Sequence, residues 1–131
     1  MEAEAGIPVQ TERFRPNVVV AGEGMPPFAE DRWSVVATGK DPAGEPLTCR
    51  LVKPCTRCTI PDINPTTGVT EGREVFQALS RMRTGKVLRE ENPMFGRPEW
   101  KNRTFFGWNV VVDTTGVLAV GDPVQLVESR P

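Results

Sequence analysis

Two cysteines separated by two residues, Cys55 and Cys58, are the side chains of this sequence best suited to chemistry. The 131 residues contain no histidine and only one further cysteine, Cys49. Without histidine, the chain cannot form a Ser-His-Asp or Cys-His catalytic arrangement, and it lacks the commonest general base and the imidazole ligands of many zinc sites. Most of the chemistry open to the chain therefore has to use the loop that carries these two thiols, or a group bound beside it.

A C-x-x-C pair has several uses, and the residues alone leave them open. A zinc knuckle needs a second pair of ligands, which Cys49 cannot supply by itself. A thioredoxin-like dithiol should begin a helix, whereas residues 59–62 contain a proline and do not resemble a helix start. The two thiols could instead be half-buried packing residues at a strand end. Alternatively, one thiolate, favoured by the neighbouring Arg57, could ligate a redox-active transition metal carried by a cofactor.

Composition indicates one soluble domain in a reducing compartment. Hydrophobic content of 38% and charged content of 25% are ordinary for a globular protein. The net charge of −1, with scattered Lys and Arg, argues against a nucleic-acid surface or a polybasic membrane patch. No apolar run approaches the roughly 20 residues that span a bilayer, and the acidic first five residues do not resemble a secretory signal. An odd number of cysteines is a poor disulfide framework, which favours an intracellular location.

The elements that must position the cysteines are mostly predicted strands. Twelve glycines and thirteen prolines separate short apolar runs, which is typical of a β-rich fold. The run Val18, Val19 and Val20 predicts a buried strand, and the other strands are predicted at residues 33–38, 47–52, 105–112 and 124–127. Residues 41–44 predict a turn, and the alternation through residues 47–52 places Leu47, Cys49 and Leu51 on one face of their strand. Apolar residues at 3.6-residue spacing predict one helix over residues 73–83. Residues 86–103 are polar and interrupted by proline, so we expect a long surface excursion. The sum is a barrel-like or closed sheet with one or two helices.

Several separated motifs follow one another along the chain, at residues 13–20, 28–33, 55–58, 62–68, 105–110 and 120–124. In this order they resemble the MOSC domain, and they are most similar to the branch that contains the mitochondrial amidoxime reducing component. The resemblance implies a mainly β, MOSC-type barrel over residues 13–131, preceded by a disordered tail over residues 1–12. In this family an N-terminal barrel domain and an opening segment come before the first motif, so we expect a C-terminal portion whose barrel is incomplete at its N-terminal side.

The resemblance also implies a cofactor and its ligands. Members of the family bind the molybdenum cofactor, a pterin dithiolene that holds the metal, and the second cysteine of the C-x-R-C motif ligates molybdenum. In this sequence that residue is Cys58, which the resemblance implies is the metal ligand and the catalytic residue. The residues implied to bind the cofactor are Arg15, Asn17, Thr56, Arg57 and Asn109. Structural roles stay open: Arg15 could form a salt bridge, and the two asparagines could cap a turn or end a strand. Cys55 is then a neighbour of the site, and Arg13 and Phe14 are expected to pack or pair.

By this resemblance the chain is part of an oxidoreductase that reduces N-hydroxylated compounds such as amidoximes, with cytochrome b5 and its reductase as electron donors. Two alternatives remain open. One is the cofactor-carrying MOSC module of a molybdenum cofactor sulfurase, and the other is an inactive fragment. A segment outside this sequence could direct the protein to the mitochondrial outer membrane or leave it in the cytoplasm.

Overall fold

The computed structural model describes residues 2–130, except for the side chain of Ala3. These residues form two compact units. The first unit contains the residues up to Val19 together with Thr56–Phe106, and the second contains Val20–Cys55 together with the residues from Gly107 onward. No helix within the described residues is both long enough and apolar enough to cross a bilayer.

A four-stranded sheet dominates the second unit. Its strands, as described within residues 2–130, are β1 (Trp33–Thr38), β2 (Leu47–Thr56), β3 (Phe105–Val112) and β4 (Gln125–Ser129), in the order β3-β2-β1-β4. Strand β1 pairs antiparallel with both β2 and β4, and its register against β4 shifts between Trp33 and Val36. Because β3 and β4 lie at opposite edges, the sheet is open. The predicted mainly β architecture is therefore confirmed, and an open sheet is consistent with an incomplete barrel.

The hairpin of β1 and β2 follows directly from its sequence. The side chain of Asp41 accepts hydrogen bonds from the backbone N–H groups of Ala43 and Glu45, at 2.8 and 2.9 Å, which closes the turn. Along β2 the residues Leu47, Cys49 and Leu51 alternate with polar neighbours, and all three are buried with Val36 of β1 in one cluster. The predicted strand and its buried face are confirmed, and the strand continues to Thr56.

The first unit is built around α2 (Glu74–Met82), which confirms the helix predicted over residues 73–83. Its buried Val75 and Leu79 pack with Phe14 in a second apolar cluster, against which Ile7 and Val9 also lie. Two further α-helical segments, α1 (Glu2–Ala5) and α3 (Gly85–Leu88), are single turns. The boundary placed at residue 12 between a tail and the domain stays a prediction.

The prediction of a buried strand at residues 18–20 is wrong. Val18 and Val19 are 54% and 62% exposed, and residues 18–20 are in no strand. Three β-branched residues have a high strand propensity, but a strand also needs a hydrogen-bonded neighbour. Within residues 2–130, none of the four strands pairs with this run.

Residues 86–103 are mostly exposed, as predicted for a surface excursion, but they also form short helices that the sequence did not predict. This segment contains α3 and two short 3-10 helices, Pro93–Gly96 and Pro98–Trp100, each of which begins at a proline. Phe95 is only 1% exposed, and its ring meets Phe105 edge-on with the centroids 5.3 Å apart. Proline is favoured at the first position of a helical turn, so here it begins structure instead of breaking it. The aromatic side chains of Phe95 and Trp100 are buried and pack this otherwise polar segment against the rest of the first unit.

Candidate functional site

Cys58 lies just beyond the end of β2, in the first unit. Strand β2 ends at Thr56, and the backbone N–H of Arg57 donates a hydrogen bond to the carbonyl of Thr104 at 2.8 Å. The Cys58 side chain is exposed, whereas Cys55 is half-buried and Cys49 is buried. The three thiols therefore differ in access, and Cys58 is the one that offers its sulfur to a ligand arriving from solvent.

Arg57 connects the cysteine loop to the segment that contains Arg15. Its guanidinium donates a hydrogen bond to the backbone carbonyl of Phe14. The same guanidinium lies 5.5 Å from the centroid of the Phe14 ring, within cation–π range. The Phe14 ring in turn stacks on Phe106, with centroids 3.9 Å apart. The Arg57 side chain therefore fixes the position of the cysteine loop relative to Phe14, the residue that precedes Arg15.

Arg15 adopts a backbone conformation that is unusual for a residue with a side chain. Its φ and ψ are both 51°, in the left-handed region, and its N–H donates to the carbonyl of Glu12 at 3.0 Å. This conformation costs about 1–2 kcal/mol for a residue other than glycine, and such residues concentrate at ligand sites. The exposed Arg15 side chain has no ion pair within residues 2–130 and lines an open groove of about 690 Å³ with Thr11, Glu12, Pro16 and Val19. An unpaired guanidinium at an open groove is suited to an anionic ligand.

The other residues implied by the resemblance are all solvent-accessible. Asn17 is exposed two residues after Arg15, and Thr56 is the exposed last residue of β2. Asn109 is exposed on β3, in the second unit. Within the first unit, the structure thus connects the Arg15 segment to the cysteine loop through Arg57. The roles of these residues toward a cofactor stay predictions.

Arg13 pairs as expected, and its partners hold the segments around the site together. The side chain is only 4% exposed, and it donates to the carbonyl of Pro61 at 3.2 Å and to Oε2 of Glu71 at 2.6 Å. The hydrogen bond from Arg13 lowers the pKa of Glu71 below its usual value, and one from the Asn64 amide adds to the effect. One buried guanidinium therefore joins the segment before Arg15 to the chain that follows Cys58.

Asp62 is a second positioning residue, and the sequence reasoning missed it. The side chain is 2% exposed, and its Oδ1 accepts a hydrogen bond from the N–H of Phe76, in the first turn of α2, at 2.9 Å. A carboxylate at a helix N-terminus also interacts favourably with the helix dipole. The sequence did contain a signal. Arg73 precedes the helix where a Ser, Thr, Asp or Asn usually accepts such a bond, so the acceptor had to come from elsewhere.

Metal-binding clusters made by the protein alone are absent from the described part of the chain. Within residues 2–130, no group of three or more His, Cys, Asp and Glu side chains is arranged to hold an ion.

The family model described as MOSC domain matches residues 1–125. The chain belongs to the MOSC domain family. The resemblance predicted from its ordered motifs is thereby confirmed. Among curated relatives, mitochondrial amidoxime-reducing component 1 of Mus musculus is 30% identical over 119 residues, covering 91% of this chain and 31% of the relative.

Two further relatives give the same picture. Mitochondrial amidoxime-reducing component 1 of Xenopus laevis is 32% identical over 123 residues, covering 94% of this chain and 32% of the relative. Mitochondrial amidoxime reducing component 2 of Rattus norvegicus is 32% identical over 120 residues, covering 88% and 30% respectively. The chain therefore spans about a third of the length of the curated relatives it matches.

Proposed function

We propose that this MOSC domain binds the molybdenum cofactor beside Cys58 and forms part of an oxidoreductase that reduces N-hydroxylated compounds. The observation that carries the proposal is the arrangement of the first unit. There Arg57 joins the loop of an exposed thiol to the segment of an unpaired, conformationally strained Arg15. The relatives named amidoxime-reducing components favour a reductase over a cofactor carrier. By the same relatives we infer an intracellular location, in mitochondria or the cytoplasm.

The residues fit the cofactor by their chemistry. A thiolate is a soft ligand that suits a redox-active transition metal, and an exposed guanidinium suits an anionic group such as a phosphate. Hydroxyl and amide groups at Thr56, Asn17 and Asn109 would offer hydrogen bonds to the polar edge of a pterin. When bound, the cofactor would supply two-electron chemistry at the metal for removing an oxygen atom from the substrate.

The chain's own contribution is positioning. Arg57 donates to the Phe14 carbonyl and sets the separation between the Cys58 loop and the Arg15 segment. Arg13 donates to the Pro61 carbonyl and so joins the segment before Arg15 to the chain that follows Cys58. Because the Cys58 thiol is exposed, its sulfur is accessible to a cofactor that approaches from solvent.

Cofactor loading tests this proposal. The chain is incubated with molybdenum cofactor, and bound molybdenum per chain is measured by inductively coupled plasma mass spectrometry. We expect Cys58→Ala to lose most of the bound metal. Cys55→Ala is the matched control, since it removes a neighbouring thiol and should retain the metal. Binding that is unchanged in Cys58→Ala would contradict the proposal. With a loaded domain, amidoxime reduction in the presence of cytochrome b5 and its reductase tests the reaction itself.

A further inference from the structure

We propose that three exposed cations beside Cys58, Lys86, Lys101 and Arg103, form a docking surface for an acidic redox protein that delivers electrons to the site. The inference rests on the proposed function, because it names the kind of partner that the same site would use. These three residues are called the basic surface below. They lie in the segment for which the sequence had predicted a surface excursion.

Backbone pairing brings Arg103 next to Cys58. The N–H of Arg57 bonds to the carbonyl of Thr104 at 2.8 Å, so the chain leaving β2 runs alongside the chain that enters β3. In an antiparallel pair, moving one residue forward on one segment corresponds to moving one residue back on the other. The residue after Arg57 is Cys58, and the residue before Thr104 is Arg103. By this register Arg103 lies opposite Cys58, the proposed metal ligand, and its side chain is exposed.

Two more backbone hydrogen bonds place Lys86 and Lys101 close to Arg103. The N–H of Gly85 donates to the carbonyl of Arg103 at 3.0 Å, and the N–H of Lys86 donates to the carbonyl of Lys101 at 2.9 Å. The first turn of α3 thus lies directly against residues 101–103. Glycine is required at this contact, since a Cβ on Gly85 would lie 2.3 Å from the carbonyl oxygen of Trp100. The basic surface is therefore held by main-chain contacts and does not depend on flexible side-chain packing.

The charge of this segment differs from that of the rest of the chain. Residues 81–103 contain seven Lys and Arg against three Glu, a net charge of +4, whereas the whole chain has a net charge of −1. The other residues therefore carry −5. Within residues 2–130, Lys86, Lys101 and Arg103 have no ion pair, while Glu99 pairs with Arg97 at 4.0 Å. Unpaired cations grouped beside a redox site attract a partner of opposite charge and orient its approach.

An acidic protein fits this surface better than a nucleic acid does. Electron-transfer complexes use small, charged and transient interfaces. A nucleic acid is a long polyanion that binds through many phosphate contacts, more than three cations provide. A compact acidic patch on a protein can be matched by the three cations of the basic surface.

The test measures affinity for cytochrome b5, the probe used, by microscale thermophoresis at low and high salt. The variant Lys86→Glu/Lys101→Glu/Arg103→Glu reverses the basic surface. The control Arg32→Glu/Lys40→Glu/Lys53→Glu makes the same charge change at exposed cations of the second unit. We expect at least about a tenfold loss at low salt for the first variant, about threefold or less for the control, and a strong weakening of wild-type binding by salt. Circular dichroism checks that both variants are folded.

Equal losses in the two variants, or none in the first, would overturn the docking surface. So would tighter binding of a DNA or RNA duplex than of cytochrome b5. If the first variant lost cofactor but bound cytochrome b5 like wild type, the three cations would belong to the cofactor site and the inference would fall. Molybdenum content in Cys58→Ala reports separately on the proposed function, because that variant keeps the basic surface intact.

Discussion

Replacing Arg13 by methionine tests whether buried contacts position the segments around Cys58. Methionine keeps most of the apolar length of the side chain but removes the guanidinium. The Pro61 carbonyl then loses its donor at 3.2 Å inside the protein, and Glu71 loses its partner at 2.6 Å. The Glu71 side chain is 42% exposed, so water can replace the lost partner there. The main cost therefore arises at the Pro61 carbonyl.

The expected loss of stability is moderate. A buried acceptor left without a donor costs about 1–3 kcal/mol. An opposing effect comes from Arg13 itself, because its Nε is buried without a hydrogen-bond partner and methionine removes that unfavourable burial. We therefore expect a net loss near the lower end, about 1–2 kcal/mol, which lowers the midpoint of a domain of this size by roughly 4–7 °C.

Urea unfolding followed by tryptophan fluorescence, with a thermal melt by circular dichroism, measures this loss. Glu71→Gln is the matched control, since it keeps an acceptor for Arg13 and should shift the midpoint much less. If Arg13→Met were as stable as wild type, the Pro61 contact would contribute nothing. The positioning role assigned to Arg13 would then be wrong.

Three further predictions concern acid stability, thiol access and the packing of Phe95. Because Arg13 lowers the pKa of Glu71, this pair stabilises the fold above the usual carboxyl pKa and loses that effect as pH falls through the lowered pKa. The difference between the urea midpoints of wild type and Arg13→Met should therefore narrow from pH 7 to pH 3, while the part due to the Pro61 carbonyl remains; a constant difference would contradict this. Burial, with a smaller contribution from a nearby carboxylate, raises the pKa of Cys49. Iodoacetamide followed by mass spectrometry should label Cys58 first and Cys49 only on unfolding, and equal labelling rates would refute this. Phe95→Ala should cost about 3–5 kcal/mol in urea unfolding, because the ring is 1% exposed; a loss below 1 kcal/mol would show that the cluster around it is loosely packed.

Strong local patterns in the sequence predicted the elements that the structure confirms. The alternation through Leu47, Cys49 and Leu51 gave both a strand and its buried face. The turn residue Asp41 accounts for the connection between β1 and β2. The helix over residues 73–83 was equally predictable, since its apolar spacing needs no knowledge of tertiary contacts.

The errors and omissions came from residues whose role depends on distant partners. Val18 and Val19 have strand propensity but no strand beside them among the described residues, and Phe95 is buried by a neighbour that its local sequence does not reveal. Asp62 supports a helix that begins twelve residues later. The hydrogen bond from Arg57 to Thr104 joins residues far apart in the sequence, so only the structure could show it. The ordered motifs predicted the family, whereas the positioning contacts required coordinates.

The most direct test of the central claim is X-ray absorption at the molybdenum edge of the cofactor-loaded domain. If Cys58 ligates the metal, Cys58→Ser should show one sulfur neighbour fewer than wild type, while Cys55→Ser should give the wild-type spectrum. An unchanged sulfur count in Cys58→Ser would contradict the claim.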